Sequence, residues 1–299
     1  VKKNIFFLGK GGTGKTTIAA LTALALVENG AKVALISMDP AHNLFDVFQI
    51  KSKKHSMAFD KHLVIEEIDI EFWIKTYLRS IEQQISKSYQ YLTSLSLEKH
   101  LQVIRYSPGL EEYALIFAYE SLQKKYDRIT YRIFDMPPTA LAMRFFNLPQ
   151  LTLVWMEKLI QIRQSILEKR KIIENIHSAP YKSEADKILK QLKILQKDYN
   201  RTHTKFCDEN ETAINVVLNE DKLSIAESGD IERHFNSLGL VINKMIVNKF
   251  RNRINKNEFD KIFKTKSFSF LPYATNPLIG ITALKKYVGD AHFQKYMYL

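Results

Sequence analysis

Residues 9–17 read Gly9-Lys10-Gly11-Gly12-Thr13-Gly14-Lys15-Thr16-Thr17, an unbroken match to the phosphate-binding pattern G-x-x-x-x-G-K-[ST]. Few short patterns restrict a fold as strongly, because the pattern works only between a buried strand and the start of a helix. Both flanks are present: Asn4 to Leu8 is a short apolar run of strand character, and Thr16 to Asn29 is an Ala/Leu-rich helix closed by Gly30. The glycines allow a tight turn and bring backbone N–H groups up to phosphate oxygens, which the positive end of the helix also faces. Lys15 is then expected to reach the β- and γ-phosphates and Thr16 to ligate Mg²⁺. The bland alternative is a plain glycine-rich turn.

The chain of 299 residues carries a formal charge of +12 and a single cysteine, Cys207. The length suits one large α/β domain, or one domain with an insertion. One cysteine rules out an intrachain disulfide, and a cysteine zinc site would need ligands from another chain. No apolar run approaches the roughly 18 residues that span a bilayer, and Val1-Lys2-Lys3 leads into a strand without a signal-peptide core, so a cytoplasmic protein is expected. The positive charge suits nucleic acid or an anionic membrane surface. Its excess lies in two stretches, with twelve Lys/Arg against six Asp/Glu over 150–205 and seven against two over 249–266. A solvated basic face accounts for either stretch equally well.

Lys32 to Ser37 reads as a second strand, ending in Met38-Asp39-Pro40-Ala41-His42-Asn43. A strand-helix-strand unit implies a parallel sheet, with Asp39 at the carboxyl end, where such sheets bind ligands. A carboxylate there can contact an attacking water, or can simply cap the next helix, which Pro40 would begin. His42 reads equally as a packed or surface histidine. Ile129 to Phe134 is the next core strand, ending in Asp135-Met136-Pro137-Pro138-Thr139, and Asp135 is the expected member of the Mg²⁺ shell, through water.

These segments carry a family resemblance. Lys10 to Thr17 resembles the deviant P-loop of the dimeric ATPases that include MinD, ParA and nitrogenase iron protein. Asp39-Pro40-Ala41-His42-Asn43-Leu44-Phe45-Asp46 resembles the first switch of one branch, the arsenite-pump ATPase (ArsA) and the ATPase that guides tail-anchored proteins to membranes. Pro108-Gly109-Leu110-Glu111-Glu112 is similar to a further family segment. Asp135, Pro137-Pro138-Thr139, Leu141, Arg144-Phe145 and Leu148-Pro149 match the second switch, with Ala140 and Leu141 standing where the family usually has glycine and histidine. The resemblance implies an ATP- and Mg²⁺-dependent homodimer in which Lys10 crosses to the partner's phosphates. It also implies tail-anchored clients and a membrane receptor.

After a possible strand at Leu63 to Ile68, the remaining segments up to 206 are helical by pattern. Phe72, Trp73, Tyr77, Ile81 and Ile85 share one face, read as core or as part of a partner surface. A helical hairpin is expected over Leu151 to Phe206, broken near Ser178-Ala179-Pro180, with one seam at Leu151, Trp155, Leu159, Ile162 and Ile166 and a second at Ile188, Leu192, Leu195 and Tyr199. Seams this narrow can be satisfied by each other, leaving a reduced client groove or none. Strands are expected again at Ala213 to Leu218, Val241 to Val247 and Ser267 to Leu271, then a helix from about Pro277 to Val288. Asn248-Lys249-Phe250-Arg251 follows the strand at 241–247. Guanine readers need a carboxylate at the fourth position, where Arg251 stands, so adenine is expected, with Asn248 near the base or merely ending the strand. Pro272 corresponds by resemblance to the loop flanking adenine.

The expected whole is an α/β P-loop NTPase with a doubly wound, mostly parallel sheet. Its core comprises 1–50, 106–150 and 210–299, and its helical subdomain comes from insertions at 63–105 and 151–206. An ATP-driven switch of the tail-anchored targeting type is the leading reading. A ParA-like partition ATPase fits the charge but not the Asp39 switch, so nucleic acid is not expected as a partner. A regulatory ATPase without a client stays open, and arsenite efflux is disfavoured because one thiol cannot build a three-thiolate site.

Overall fold

A computed structural model describes residues 3–41, 44–51, 55–88, 109–177, 186–252, 254, 256–265 and 267–289. His42, Asn43, Pro108, the hairpin break at 178–180 and the segment 89–105 lie outside the described residues.

Eight strands form one sheet. In chain order they are β1 (Lys3–Leu8), β2 (Val33–Ser37), β3 (Ser56–Ala58), β4 (Leu63–Glu67), β5 (Tyr131–Asp135), β6 (Thr212–Leu218), β7 (Lys244–Phe250) and β8 (Phe268–Pro272). The spatial order is β3-β4-β2-β5-β1-β6-β7-β8, parallel throughout except for the β3–β4 pair. Strands buried on both faces need unbroken apolar runs, which is how Ile5-Phe6-Phe7-Leu8 and Val33-Ala34-Leu35-Ile36 read. Because β5 is inserted between β1 and β2, the crossovers leave a crevice at the carboxyl ends of the central strands.

Helices cover both faces. Helix α1 (Lys15–Glu28) buries Ile18, Leu21 and Leu24 against the side chains of Ile5, Phe7 and Leu35. Helix α2 (Leu44–Phe48) follows β2, and α3 (Ile70–Ser88) follows β4. The opposite face is closed by α4 (Leu110–Lys125), α5 (Thr139–His177) and α6 (Lys187–Cys207). Helices α7 (Lys222–Ser237), α8 (Lys256–Ile262) and α9 (Ile281–Val288) complete the chain. Helix α7 is capped by Asp221, which accepts from the Ser224 N–H at 2.8 Å.

On the α4–α6 side, the core is an aromatic cluster. Phe6 stacks on Phe134 with centroids 4.9 Å apart, and Phe146 meets Phe206 at 4.9 Å and Phe235 at 5.1 Å. Phe145 and Phe146 belong to α5 and Phe206 to α6, so both long helices are rooted in this cluster.

Four expectations are corrected by the structure. The strand expected at Leu63 to Ile68 is present as Leu63–Glu67, but it is paired with β2 in the main sheet, so the helical segment begins at Ile70 and not at 63. The first hairpin helix begins at Thr139, not Leu151, and runs through Pro149 for 39 residues, about 58 Å at 1.5 Å per residue. Proline removes one N–H, but Phe145, Phe146 and Leu148 before it and Thr152 after it are buried, and that packing carries the helix across.

The third correction is to the hairpin seams. Leu151, Trp155, Leu159, Ile162 and Ile166 do not face α6. All five are exposed, Trp155 at 63% and Ile162 at 57%. The side of α5 that is covered carries Thr152 and Ile160, while the α6 seam at Ile188, Leu192, Leu195 and Tyr199 is half-buried. Arg163 of α5 closes the arms with a two-pronged contact to Asp186, Nε at 3.2 Å and Nη2 at 2.6 Å. That contact holds the Asp186 carboxyl below the usual carboxylate range. On α3, the half-buried Trp73 and Tyr77 pack on Phe117 and Tyr113 of α4, while Phe72 is exposed; the Ile85 side chain lies outside the described residues. The last helix starts at Ile281 rather than near Pro277.

Candidate functional site

The glycine loop connects β1 to α1 at the crevice. Gly9 has φ +142°, and a Cβ there would stand 2.1 Å from the Val217 carbonyl oxygen of β6. Gly14 has φ +95°, and its Cβ would stand 2.4 Å from Asn248 Nδ2. Both positions therefore demand glycine for space as well as conformation. Thr13 tightens the turn by donating from Oγ1 to the Lys10 carbonyl at 2.8 Å. Lys15, on the first turn of α1, is buried. Lys10 is half-buried, and among the described residues its ammonium has no ion-pair partner.

Three acidic residues converge beside the loop from adjacent strand ends. Thr16 donates from Oγ1 to Asp135 Oδ2 at 2.6 Å, leaving the hydroxyl lone pairs available to a cation. The Met38 N–H donates to the Asp135 carbonyl at 2.8 Å, which joins the ends of β2 and β5. Burial pushes the Asp135 carboxyl up to about 7, and the Asp39 and Glu67 carboxylates add to the rise while Thr16 and Lys15 oppose it. Asp135 Oδ1 is buried and, among the described residues, has no hydrogen-bond partner. An orphaned carboxylate oxygen beside a threonine hydroxyl is a donor set that fits a hard divalent cation, which prefers oxygen ligands and keeps several waters. Mg²⁺ would be held by Thr16 and, through water, by Asp135 and Asp39, neutralising phosphate charge when bound.

Asp39 Oδ1 accepts from the Ala41 N–H at 3.0 Å, forming a local turn across Pro40 ahead of α2. Glu67, at the end of β4, accepts from the Phe45 N–H at 2.8 Å and so ties the segment after Asp39 to the sheet. In the second switch, Ala140 and Leu141 lie in the first turn of α5. Arg144 reaches back to Glu112 at 3.0 Å, linking the switch to the helix that follows Gly109.

A cavity of about 340 Å³ opens beside the loop, lined among others by Gly14, Thr17, Asn248, Lys249, Pro272 and Tyr273. It brings together Asn248 and Pro272, the two residues expected beside the base. Asn248 lies within β7 rather than after it, and its Nδ2 donates to the Thr13 carbonyl at 2.7 Å. Arg251 lays its guanidinium over the Tyr273 ring at 3.9 Å, so the position that reads guanine elsewhere carries a stacked cation and no acceptor. Sequence reasoning passed over Lys249, whose Nζ donates to the Gly12 carbonyl at 2.9 Å. Its place in the Asn248–Arg251 run was the available signal.

The sequence pattern of the anion-transporting ATPase family matches residues 2–269. A protein of Aquifex aeolicus whose name assigns it as arsenical pump-driving ATPase 1 is 30% identical over 259 residues, 82% of this chain and 62% of its own. The chain thus spans less than two thirds of that relative. The protein named arsenical pump-driving ATPase 2 from the same organism is 25% identical across 94% of this chain and 96% of its own. The ATPase get3 of Aspergillus niger is 29% identical over 82% of this chain and 72% of its own. Among the described residues no helix is long and apolar enough to cross a membrane.

Asp135→Asn is expected to raise the melting temperature of the nucleotide-free protein by at least about 2 °C, because a neutral amide of the same shape escapes the burial penalty. The same change should remove the extra stabilisation that Mg²⁺ adds to ATP. Thermal unfolding with ATP, with and without Mg²⁺, measures both. A variant that keeps the full Mg²⁺ increment would take Asp135 out of the metal shell.

Proposed function

This chain belongs to the anion-transporting ATPase family, and from that premise we propose that it works as a homodimeric, Mg²⁺-dependent ATP switch that captures one apolar helix of a tail-anchored membrane protein in the cytoplasm. The observation that carries the reading is the apolar stripe of α5. Leu151, Val154, Trp155, Leu159, Ile162 and Ile166 are all exposed on a helix that begins four residues after Asp135. Exposed apolar surface of this continuity is costly in water and suits a partner helix laid alongside it. The get3 relative supports the targeting type, and the relatives named as arsenical pump-driving ATPases stand beside it at similar identity, so the choice between the two rests on the stripe and on the thiol chemistry. Arsenite capture is poorly supported, since Cys207 is the one cysteine and burial pushes its thiol up, away from the thiolate that binds soft ions.

In this reading Lys15 and the loop N–H groups hold the phosphates, and Asp39 orients the attacking water. Asn248 and Pro272 flank adenine. Asn248 retains a second Nδ2 hydrogen and a lone pair beyond its bonds to Thr13 and to the Lys249 N–H, so it can both hold the loop and meet the base. Lys10 completes the partner's site across the two-fold axis, in the manner of a cation supplied in trans. Closing the dimer would then reposition α5 at its root.

The client arm is tested by photocrosslinking a synthetic single-span helix to the protein in ATP- and ADP-bound states. Capture should depend on nucleotide, and Trp155→Asp with Ile162→Asp should reduce it about tenfold or more while ATP turnover without client is unchanged. Absence of capture in every state would leave a regulatory ATPase as the better reading.

The dimer arm is tested by mixing. Lys10→Ala should bind ATP within about tenfold of wild type yet lose most hydrolysis, the scale expected of one electrostatic group. Adding the Lys15→Ala chain should restore part of the activity, because each mixed dimer assembles one complete site. Activity equal to the sum of the two variants, with mixed dimers seen by sedimentation, would contradict a lysine acting in trans.

A further inference from the structure

Lys249 is an exposed lysine in the left-handed region, φ +54°, where a non-glycine residue is uncommon. It occupies an irregularity of β7. Val247 pairs with Phe270 and Phe250 with Pro272, so β7 carries one residue more than β8 over this interval. A bulge of this kind re-aims side chains, and here it turns two consecutive ones toward the glycine loop. Asn248 takes the Thr13 carbonyl at 2.7 Å and Lys249 takes the Gly12 carbonyl at 2.9 Å. In a trans peptide the C=O and the following N–H point in opposite directions. Fixing the Thr13 carbonyl toward β7 therefore turns the Gly14 N–H away from it, into the concave side of the loop where phosphates bind, while fixing the Gly12 carbonyl sets the same peptide's Thr13 N–H on the Lys10 carbonyl at 3.3 Å and so holds the loop's turn.

We propose that Lys249 is a positioning residue for the phosphate cradle: its ammonium tethers the flexible Gly11-Gly12 half of the loop to β7 and preorganises it for the nucleotide's phosphates, without reading the base. The inference rests on the ATP-binding reading above. Gly12 has φ +79° with open space where a Cβ would stand, and the N–H of its peptide to Thr13 donates to the Lys10 carbonyl at 3.3 Å, so the tether adds to that turn by fixing the same peptide's carbonyl. The tether lowers the ordering cost of binding, and its value is that of one exposed charge-assisted hydrogen bond. The left-handed backbone at 249 is the strain that this contact sustains.

Three variants and two ligands separate the tether from a base contact or a fold defect. Lys249→Met keeps the length of the side chain and removes the donor. Lys249→Asn tolerates the left-handed backbone better than lysine but is too short to reach Gly12. Lys249→Arg keeps a donor of sufficient reach. Affinities for Mg·ATP and for adenosine, which lacks phosphates, are measured by calorimetry on the full chain. Met and Asn should weaken Mg·ATP about three- to tenfold and leave adenosine unchanged, with most of the ATP affinity recovered in Arg. Equal losses for adenosine would make Lys249 a base contact and overturn the tether. Unchanged ATP affinity in both Met and Asn would also overturn it while leaving the ATP reading intact, and a wild-type chain that binds no ATP would fail that reading itself.

Discussion

The hydrogen bond from Thr16 to Asp135 is the contact on which the rest of the molecule turns. It joins the first turn of α1 to the end of β5 at 2.6 Å, fastening the glycine loop to the one strand whose continuation becomes the longest helix. Asp135 is held there against burial and against the Asp39 and Glu67 charges, so its carboxylate is a costly group in the ligand-free protein. A cation beside its orphaned oxygen relieves that cost. Occupancy of the site therefore bears directly on the strand end from which α5 departs.

What α5 can do with such a signal depends on its root. Phe145 and Phe146 are locked among Phe6, Tyr119, Phe206 and Phe235, and Arg144 is paired with Glu112. Close-packed aromatic clusters do not deform continuously; they shift as units between packings. In the proposed switch a displacement at Asp135 would be passed to α5 and α6 as a rigid movement of the whole arm, because Phe206 binds α6 to the same cluster and Arg163–Asp186 holds the arms together further out. The exposed stripe from Leu151 to Ile166 lies on that arm, which would give nucleotide state a mechanical route to the proposed partner surface.

Much of this was legible in the sequence where local chemistry decides conformation. The loop at 9–17 admits few alternatives, and the continuous apolar runs marked β1, β2, β5 and β6 to within a residue or two. The strand-end carboxylates Asp39 and Asp135 followed from that sheet. Where tertiary context decides, the reading failed. A proline inside a helical pattern suggests a boundary, yet buried neighbours carried α5 through Pro149. A 3.6-residue stripe says that a face is apolar and not what covers it, which is why Leu151, Trp155, Leu159, Ile162 and Ile166 were expected inward and stand outward. Lys249 was invisible for a third reason: its contact spans 237 positions and arises from a bulge that no short-range pattern announces.

In the proposed switch the carboxylate of Asp135 and the apolar stripe belong to one moving body. Amide hydrogen exchange over residues 139–177, compared between the nucleotide-free protein and the protein with Mg²⁺ and a non-hydrolysable ATP analogue, is the measurement that bears on this most closely. Altered protection is expected along α5 from Thr139 through the stripe to at least Ile166, with loss of that response in Asp135→Asn. Changes confined to the glycine loop and the ends of β2 and β5, with α5 exchanging identically in both states, would contradict it.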